Sequence, residues 1–241
     1  MLIGAIAGSF VAAILLRWPA GRSVLRGRSQ CDSCGAALGA RDLVPIVSWL
    51  ALRGRCRLCG SRIDRRHVGI ELTGAFVGFA AFHAHPPALA VVSALLGWWL
   101  LLIAVLDLEH QWLPDRLTLP LLPAGLATAW LGLGPPLADR AIAAAAGYAA
   151  LAGIAAGYRR LRAREGLGGG DPKLLAAIGA WLGWQQLPFV LLGAGLLGLT
   201  TILLVGLRGR RVAATDRLPL GTLMALIAWP IWLLVAAPLV P

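Results

Sequence analysis

The run Ala88–Leu106 holds 19 residues without a single charge. A helix rises about 1.5 Å per residue, so this run is about 28 Å long, near the thickness of a bilayer's hydrocarbon core. Other apolar runs approach that length. The 241-residue chain is 59% hydrophobic and only 14% charged, more apolar sequence than a soluble domain of this size needs. Such runs indicate transmembrane helices.

The first helix is expected over about Leu2–Leu16, short for a span, with Arg17 snorkelling and Trp18 at the interface. It lacks a preceding basic region and a cleavage site of the usual kind, so it reads as a retained helix and not a signal peptide. A polar loop follows, about Arg17 to Gly69, holding 11 arginines. Further helices are expected over about Ile70–Ala84, Ala88–Leu106, Arg116–Gly134, Arg140–Tyr158, Pro172–Trp184, Leu187–Leu207 and Leu218–Ala237. Pro120 and Pro123 predict a kink in the fourth. The expected fold class is an all-α polytopic membrane protein with about eight transmembrane helices and one long cytoplasmic loop.

The net charge is +11, and 21 of the 22 basic residues are arginine. In a soluble protein that balance suggests nucleic acid. Here no RRM, helix-turn-helix or aromatic-interleaved basic strip accompanies it, so no nucleic-acid partner is expected. Arginines retained in cytoplasmic loops explain the charge better. The loops after helices one, three, five and seven hold 11, 1, 5 and 4 basic residues, and the alternate loops hold only Arg140. The first set is therefore expected to be cytoplasmic, with both termini outside. The chain shows no inverted repeat, which weighs against a transporter.

Residues Gly166–Lys173 read Gly-Leu-Gly-Gly-Gly-Asp-Pro-Lys. Each glycine costs about 1 kcal/mol relative to alanine in a helix interior, so an extended or turning backbone is expected. Nothing projects from it, and another chain can approach closely. Asp171-Pro-Lys-Leu-Leu is also a good helix start, with Asp171 as N-cap and Pro172 as first helical residue. A carboxylate at a bilayer edge is equally a functional-site candidate with a partner to be found. The two roles are compatible.

Of the eleven acidic residues, only Glu71, Asp107, Glu109, Asp115 and Asp171 fall at helix ends near the expected cytoplasmic face. Asp107, ending the third helix, and Asp171, starting the sixth, are expected at similar depth. Two carboxylates sharing a site hold one proton between them. One can then activate water while the other protonates an amide. A peptide must be strand-like to be cut, and pairing with its edge needs a bare backbone. Gly168, Gly169, Gly170 and Lys173 are therefore the candidate substrate-binding residues. His67, His83, His85 and His110 form no Ser/His/Asp or Cys/His constellation and read as interfacial residues.

Cys31-Asp-Ser-Cys34 and Cys56-Arg-Leu-Cys59 are two C-x2-C knuckles separated by 21 residues. That spacing points to one structural Zn2+ held by four thiolates, with redox or free thiols as the other reading. A cytoplasmic loop argues against stable disulfides. Gly35 and Gly60 follow the knuckles and let backbone N–H groups turn toward the thiolates. The metal's expected role is to fold a loop with too few apolar residues to fold alone.

Gly168-Gly169-Gly170-Asp171 resembles the Gly-x-Gly-Asp (GxGD) signature of intramembrane-type aspartyl proteases. More closely, the chain resembles the type IV prepilin peptidases (prepilin leader peptidase/N-methyltransferase). Ile103–Pro120 is similar to that family's first aspartate segment, and Gly166–Gln185 to its second. Ser9-Phe10, Arg17-Trp-Pro19, the paired Cys motifs, Pro45-Ile-Val-Ser-Trp49 and Glu71-Leu-Thr-Gly74 follow its amino-terminal part. The resemblance implies Asp107 and Asp171 as the catalytic pair, with Asp115 a structural companion capping the fourth helix after Pro114. It also implies cleavage of a leader after glycine, then N-methylation of the new amino terminus using S-adenosylmethionine. Where relatives read Ser-Phe-Leu-Asn, this chain reads Ser9-Phe10-Val11-Ala12, so the polar Asn is absent from helix one. Glu71 reads either as a helix N-terminal charge or as a site residue.

The expected partition is a first transmembrane helix over 1–16, a cytoplasmic zinc-binding loop over 17–69 and a peptidase domain over 70–241. Helix one and the loop together are the possible methyltransferase part. The expected location is the bacterial inner membrane, multi-pass, with the active site facing the cytoplasm. The expected partners are prepilin or pseudopilin precursors and the lipid bilayer. Rival readings are a zinc-knuckle membrane scaffold or assembly protein, whose aspartates only cap helices, and an ion-coupled transporter.

Overall fold

A computed structural model of the chain describes residues 1–23, 28–164, 166–209 and 218–236. Among these residues the regular structure is helical, with two isolated bridges, Gln30 with Ala37 and Arg55 with Arg62. The helices are α1 (Leu2–Arg17), α2 (Val47–Ala51), α3 (Arg65–Ala84), α4 (Pro87–His110), α5 (Asp115–Trp130), α6 (Leu137–Arg162), α7 (Asp171–Leu182), α8 (Leu187–Leu207) and α9 (Leu220–Val235). Pro87–His110, Leu137–Arg162 and Trp184–Leu207 are long and apolar enough to cross a membrane, and α1 and α9 are shorter apolar helices. The expected end of the last helix at Ala237, and Arg210, Arg211 and Arg217 of the basic loop, lie outside the described residues.

The chain divides into two compact units, Met1–Trp98 and Trp99–Pro241. In the first, α1 and α3 touch backbone to backbone through small residues. A methyl group on Gly4 would lie 2.6 Å from the Gly74 carbonyl oxygen, and one on Gly74 2.6 Å from the Gly8 Cα. Helices approach this closely only where side chains are missing, so these glycines are packing residues. The Trp98 indole donates to the same Gly74 carbonyl at 2.9 Å. Helix α3 starts five residues before the expected Ile70, because Asp64 caps it, accepting from the Arg66 N–H at 2.9 Å.

The second unit is built around α7. This helix has 12 residues, about 18 Å, well short of the hydrocarbon core. It is buried along nearly its whole length, so its neighbours are protein and not lipid. Glycines again let backbones meet: a methyl group on Gly125 of α5 would lie 2.7 Å from the Ala180 carbonyl oxygen, and one on Gly179 of α7 2.7 Å from that of Ala143 in α6. The Trp181 indole donates to the Leu121 carbonyl at 2.9 Å, tying α7 to α5. Helix α5 runs on through Pro120 and Pro123.

Arg140 differs from its expected role as a loop charge. It lies in the first turns of α6 and is 0% exposed. Its guanidinium donates to the Gly125, Leu133 and Pro135 carbonyls and to the Thr128 hydroxyl, and it sits over the Trp232 ring. Leu133 and Pro135 lie where the chain turns from α5 into α6, and Gly125 lies within α5, so the arginine ties the buried turn back to the helix before it.

Candidate active site

Helix α4 does not stop at Leu106. It runs on to His110, so Asp107 projects from its last turn, and Gln111 at φ +48° ends it. The chain then passes through Leu113 and Pro114 into α5, whose first residue is Asp115. Asp171 begins α7 after the glycines. Both aspartates belong to the second unit. Asp107 is 5% exposed and Asp171 6%, and they are close enough for the charge on one to act on the other.

The side chain of Leu113 is the wedge around which the site closes. A methyl group on Gly170 would lie 2.5 Å from the Leu113 Cβ, and one on Gly221 2.9 Å from its Cδ1 and 3.0 Å from Asp107 Oδ2. One leucine thus brings together the end of α4, the start of α7 and the start of α9. The sequence gives no sign of this, since Leu113 reads as an ordinary apolar residue in a turn.

Each aspartate is held by a backbone N–H. The Gly168 N–H donates to Asp171 Oδ2 at 2.9 Å, and the Thr222 N–H donates to Asp107 Oδ2 at 2.7 Å. The expected N-cap role of Asp171 is corrected here. Gly170 occupies the cap, Asp171 is already helical, and its carboxylate reaches back to Gly168 instead. The triglycine forms a turn, and none of its three residues has positive φ. Gly168 and Gly170 are glycine because of close approach. Gly169 has nothing within 4 Å of where a side chain would start.

Asp115 makes no side-chain cap bond, because Pro114 takes the cap position of α5. Its carboxylate is paired with Lys173, the expected substrate-binding lysine, whose Nζ donates to both oxygens at 2.6 and 2.8 Å.

In the first unit the four cysteines converge. Their Sγ atoms all lie within 4.8 Å of one another, and Cys31 and Cys59 are 3.8 Å apart. A zinc–sulfur distance of about 2.3 Å gives a tetrahedron with edges of about 3.8 Å. Four thiols at this spacing fit a tetrahedral metal. Gly35 and Gly60 adopt φ +68° and +70°, but their own N–H groups go to the Cys31 and Cys56 carbonyls. The next residues, Ala36 and Ser61, turn their N–H groups toward the Cys34 and Cys59 thiols. The expected N–H donation therefore occurs one residue later. The N–H groups of Cys34 and Ser33 hold the Cys31 thiol down at about 6. Ser61, unremarkable in sequence, places its hydroxyl 3.0 Å from the Cys59 Sγ and lowers that thiol as well.

Glu71 is the buried carboxylate among the described residues of the first unit. It accepts the Ile46 N–H at 2.7 Å, and Ile46 sits at φ +63°, a costly conformation for a β-branched residue. Glu71 therefore holds a strained loop. S-adenosylmethionine carries a sulfonium and an ammonium group, and a buried carboxylate is a side chain that fits such cations. Ala12, where a polar side chain is missing, is fully buried.

Two family models match the chain: the type IV leader peptidase family over residues 94–203, and the bacterial peptidase A24 N-terminal domain over residues 2–85. Three similar relatives carry the name prepilin leader peptidase/N-methyltransferase. That of Aeromonas salmonicida (strain A449) is 41% identical over 204 residues, covering 84% of this chain and 69% of the relative. That of Dickeya chrysanthemi is 40% identical over 228 residues, covering 85% and 81%. That of Burkholderia pseudomallei (strain K96243) is 42% identical over 208 residues, covering 86% and 67%. No solved structure matches the chain.

Proposed function

Since the chain belongs to the type IV leader peptidase family, we propose that it is an integral membrane aspartyl endopeptidase that cuts the leader from prepilins or pseudopilins and N-methylates the new amino terminus. The observation that carries the peptidase reading is the pair Asp107 and Asp171, both buried and gathered around Leu113. One carboxylate, ionised, takes a proton from water as the oxygen adds to the scissile carbonyl. The other, protonated, gives its proton to the departing amine as the C–N bond breaks. Gly168, Gly169, Gly170 and Lys173 receive the substrate. The open surface beside Gly169 supports backbone pairing with an extended peptide.

Cys31, Cys34, Cys56 and Cys59 hold one Zn2+ that folds the loop and takes no part in cleavage. The methyltransferase part is formed by helix one and residues 17–69, and Glu71 of α3 holds its loop at Ile46. S-adenosylmethionine, when bound, supplies the methyl group. Residues 70–241 form the peptidase domain. The protein sits in the bacterial inner membrane with eight helices, α1 and α3–α9, and its active site faces the cytoplasm. Burial of Arg140 supports this orientation, because it leaves the outer loops among the described residues without an exposed lysine or arginine.

The test is co-expression with a candidate precursor and mass analysis of its amino terminus. Loss of the leader plus one methyl group is the expected result. An untouched precursor across a panel of prepilins and pseudopilins contradicts the proposal.

A further inference from the structure

Thr222 lies 115 residues from Asp107 in the chain, yet it touches Asp107 through both its backbone and its side chain. Its N–H donates to Asp107 Oδ2 at 2.7 Å. Its hydroxyl oxygen lies 3.2 Å from the same Oδ2 and 2.7 Å from the Ala104 carbonyl oxygen. Thr222 is the third residue of α9, so its N–H is one of those a helix leaves without an internal partner. Such a group is well placed to hold a carboxylate. Gly221 leaves room for this: any side chain there would start 3.0 Å from Oδ2 and overlap Leu113.

The hydroxyl has one proton and two oxygens within reach. The Ala104 carbonyl can only accept. While the hydroxyl donates to it, the contact with Oδ2 is a hydrogen bond only if Oδ2 carries a proton. When Asp107 is ionised, the same hydroxyl can turn and donate to Oδ2. A rotation of one O–H bond therefore serves both protonation states with every heavy atom in place. The Gly221 N–H also turns toward the Asp107 carboxylate, and both bonds from Thr222 fall on Oδ2.

We propose that Thr222 is a positioning residue for Asp107: it fixes Oδ2, leaves Oδ1 as the working oxygen, and turns its hydroxyl to Oδ2 when the carboxylate is ionised and to the Ala104 carbonyl when Oδ1 takes the proton. This rests on the reading of Asp107 as a member of the catalytic pair. In that reading an aspartate must pass between two protonation states in each turnover without drifting from the scissile bond. Misplacement by about 1 Å costs on the order of 100-fold in rate.

The experiment compares the full chain, reconstituted in liposomes, with its Thr222→Ser, Thr222→Ala, Thr222→Val and Asp107→Asn variants, measuring kcat, KM and Tm on one precursor. Valine keeps the shape and the N–H but loses the hydroxyl, and serine keeps the hydroxyl. The expected result is kcat roughly 10- to 100-fold lower in the valine and alanine variants, with KM unchanged. Serine is expected to stay near wild type, with Asp107→Asn inactive. A helix cap or packing residue would change Tm and not separate kcat from KM. If valine fails to fold, the serine and alanine pair, nearly equal in size, still decides. Equal kcat for serine and alanine, with Asp107→Asn inactive, overturns the role of Thr222 alone. An active Asp107→Asn overturns the catalytic pair, and the role of Thr222 with it.

Discussion

Lys173, two residues beyond Asp171 on α7, donates to both oxygens of Asp115, the first residue of α5. The pair ties the starts of two helices that frame the site. Its side chains are 33% and 55% exposed, so it adds about 1 kcal/mol or less to stability. Its value lies in geometry. Asp115→Asn and Lys173→Met should each slow cleavage while shifting Tm by only a few degrees. The exchanged variant Asp115→Lys/Lys173→Asp should recover part of the rate. A double exchange no better than the worse single variant would show that contact of Lys173 with substrate, and not its pairing with Asp115, sets the rate.

The three glycines before Asp171 should respond differently to alanine. Gly170→Ala places a methyl group 2.5 Å from the Leu113 Cβ and should destabilise the second unit by about 1–3 kcal/mol. Gly169→Ala meets nothing within 4 Å and should leave Tm unchanged. If the bare backbone at 169 pairs with substrate, KM should rise about tenfold, a loss of about 1.4 kcal/mol of binding. An unchanged KM in Gly169→Ala would remove Gly169 from the substrate path.

Purified protein should contain one zinc per chain. Structural zinc contributes on the order of 10 kcal/mol to the folding of small domains, so Cys34→Ser should lower abundance in cells. Metal analysis finding substoichiometric zinc, with the cysteines paired as disulfides, would contradict the site.

Glu71→Gln should separate the two activities. The precursor should still lose its leader, because Asp107 and Asp171 are untouched. The product should lack the methyl group, because glutamine can still accept the Ile46 N–H but removes the negative charge that suits a cationic methyl donor. Methylation at the wild-type level in this variant would place the methyl-donor site elsewhere.

The chemistry of the site is more legible in the sequence than its scaffolding. Asp107 and Asp171 stand out because a carboxylate beside a long apolar run is rare, and the cysteines because their spacing is local. The length of α1 and the start of α4 follow from hydropathy. Leu113 and Thr222 are not legible, since each acts through contacts across distant segments and neither belongs to a residue type that announces a role. Arg140 misleads for a related reason. A charge near a helix start reads as a loop residue, and only tertiary packing shows that it faces the Gly125 carbonyl of α5 and the Pro135 carbonyl of the turn. The glycines of α1, α3, α5 and α7 read as weak helix formers, although their work is to let backbones touch. Asp115 reads as a cap because it follows a proline, but Lys173 lies 58 residues away and claims it.

The most direct test of the catalytic pair is the cleavage rate of reconstituted protein carrying Asp107→Asn, Asp171→Asn or both. Asparagine keeps the size of each side chain and can still accept the Gly168 or Thr222 N–H, so folding should survive. Each single change should slow cleavage by roughly 10⁴-fold or more, and the double change should add little, because the two residues act as a unit. Near wild-type cleavage by either single variant, folded and present at wild-type level, would contradict the account and return that aspartate to a structural role.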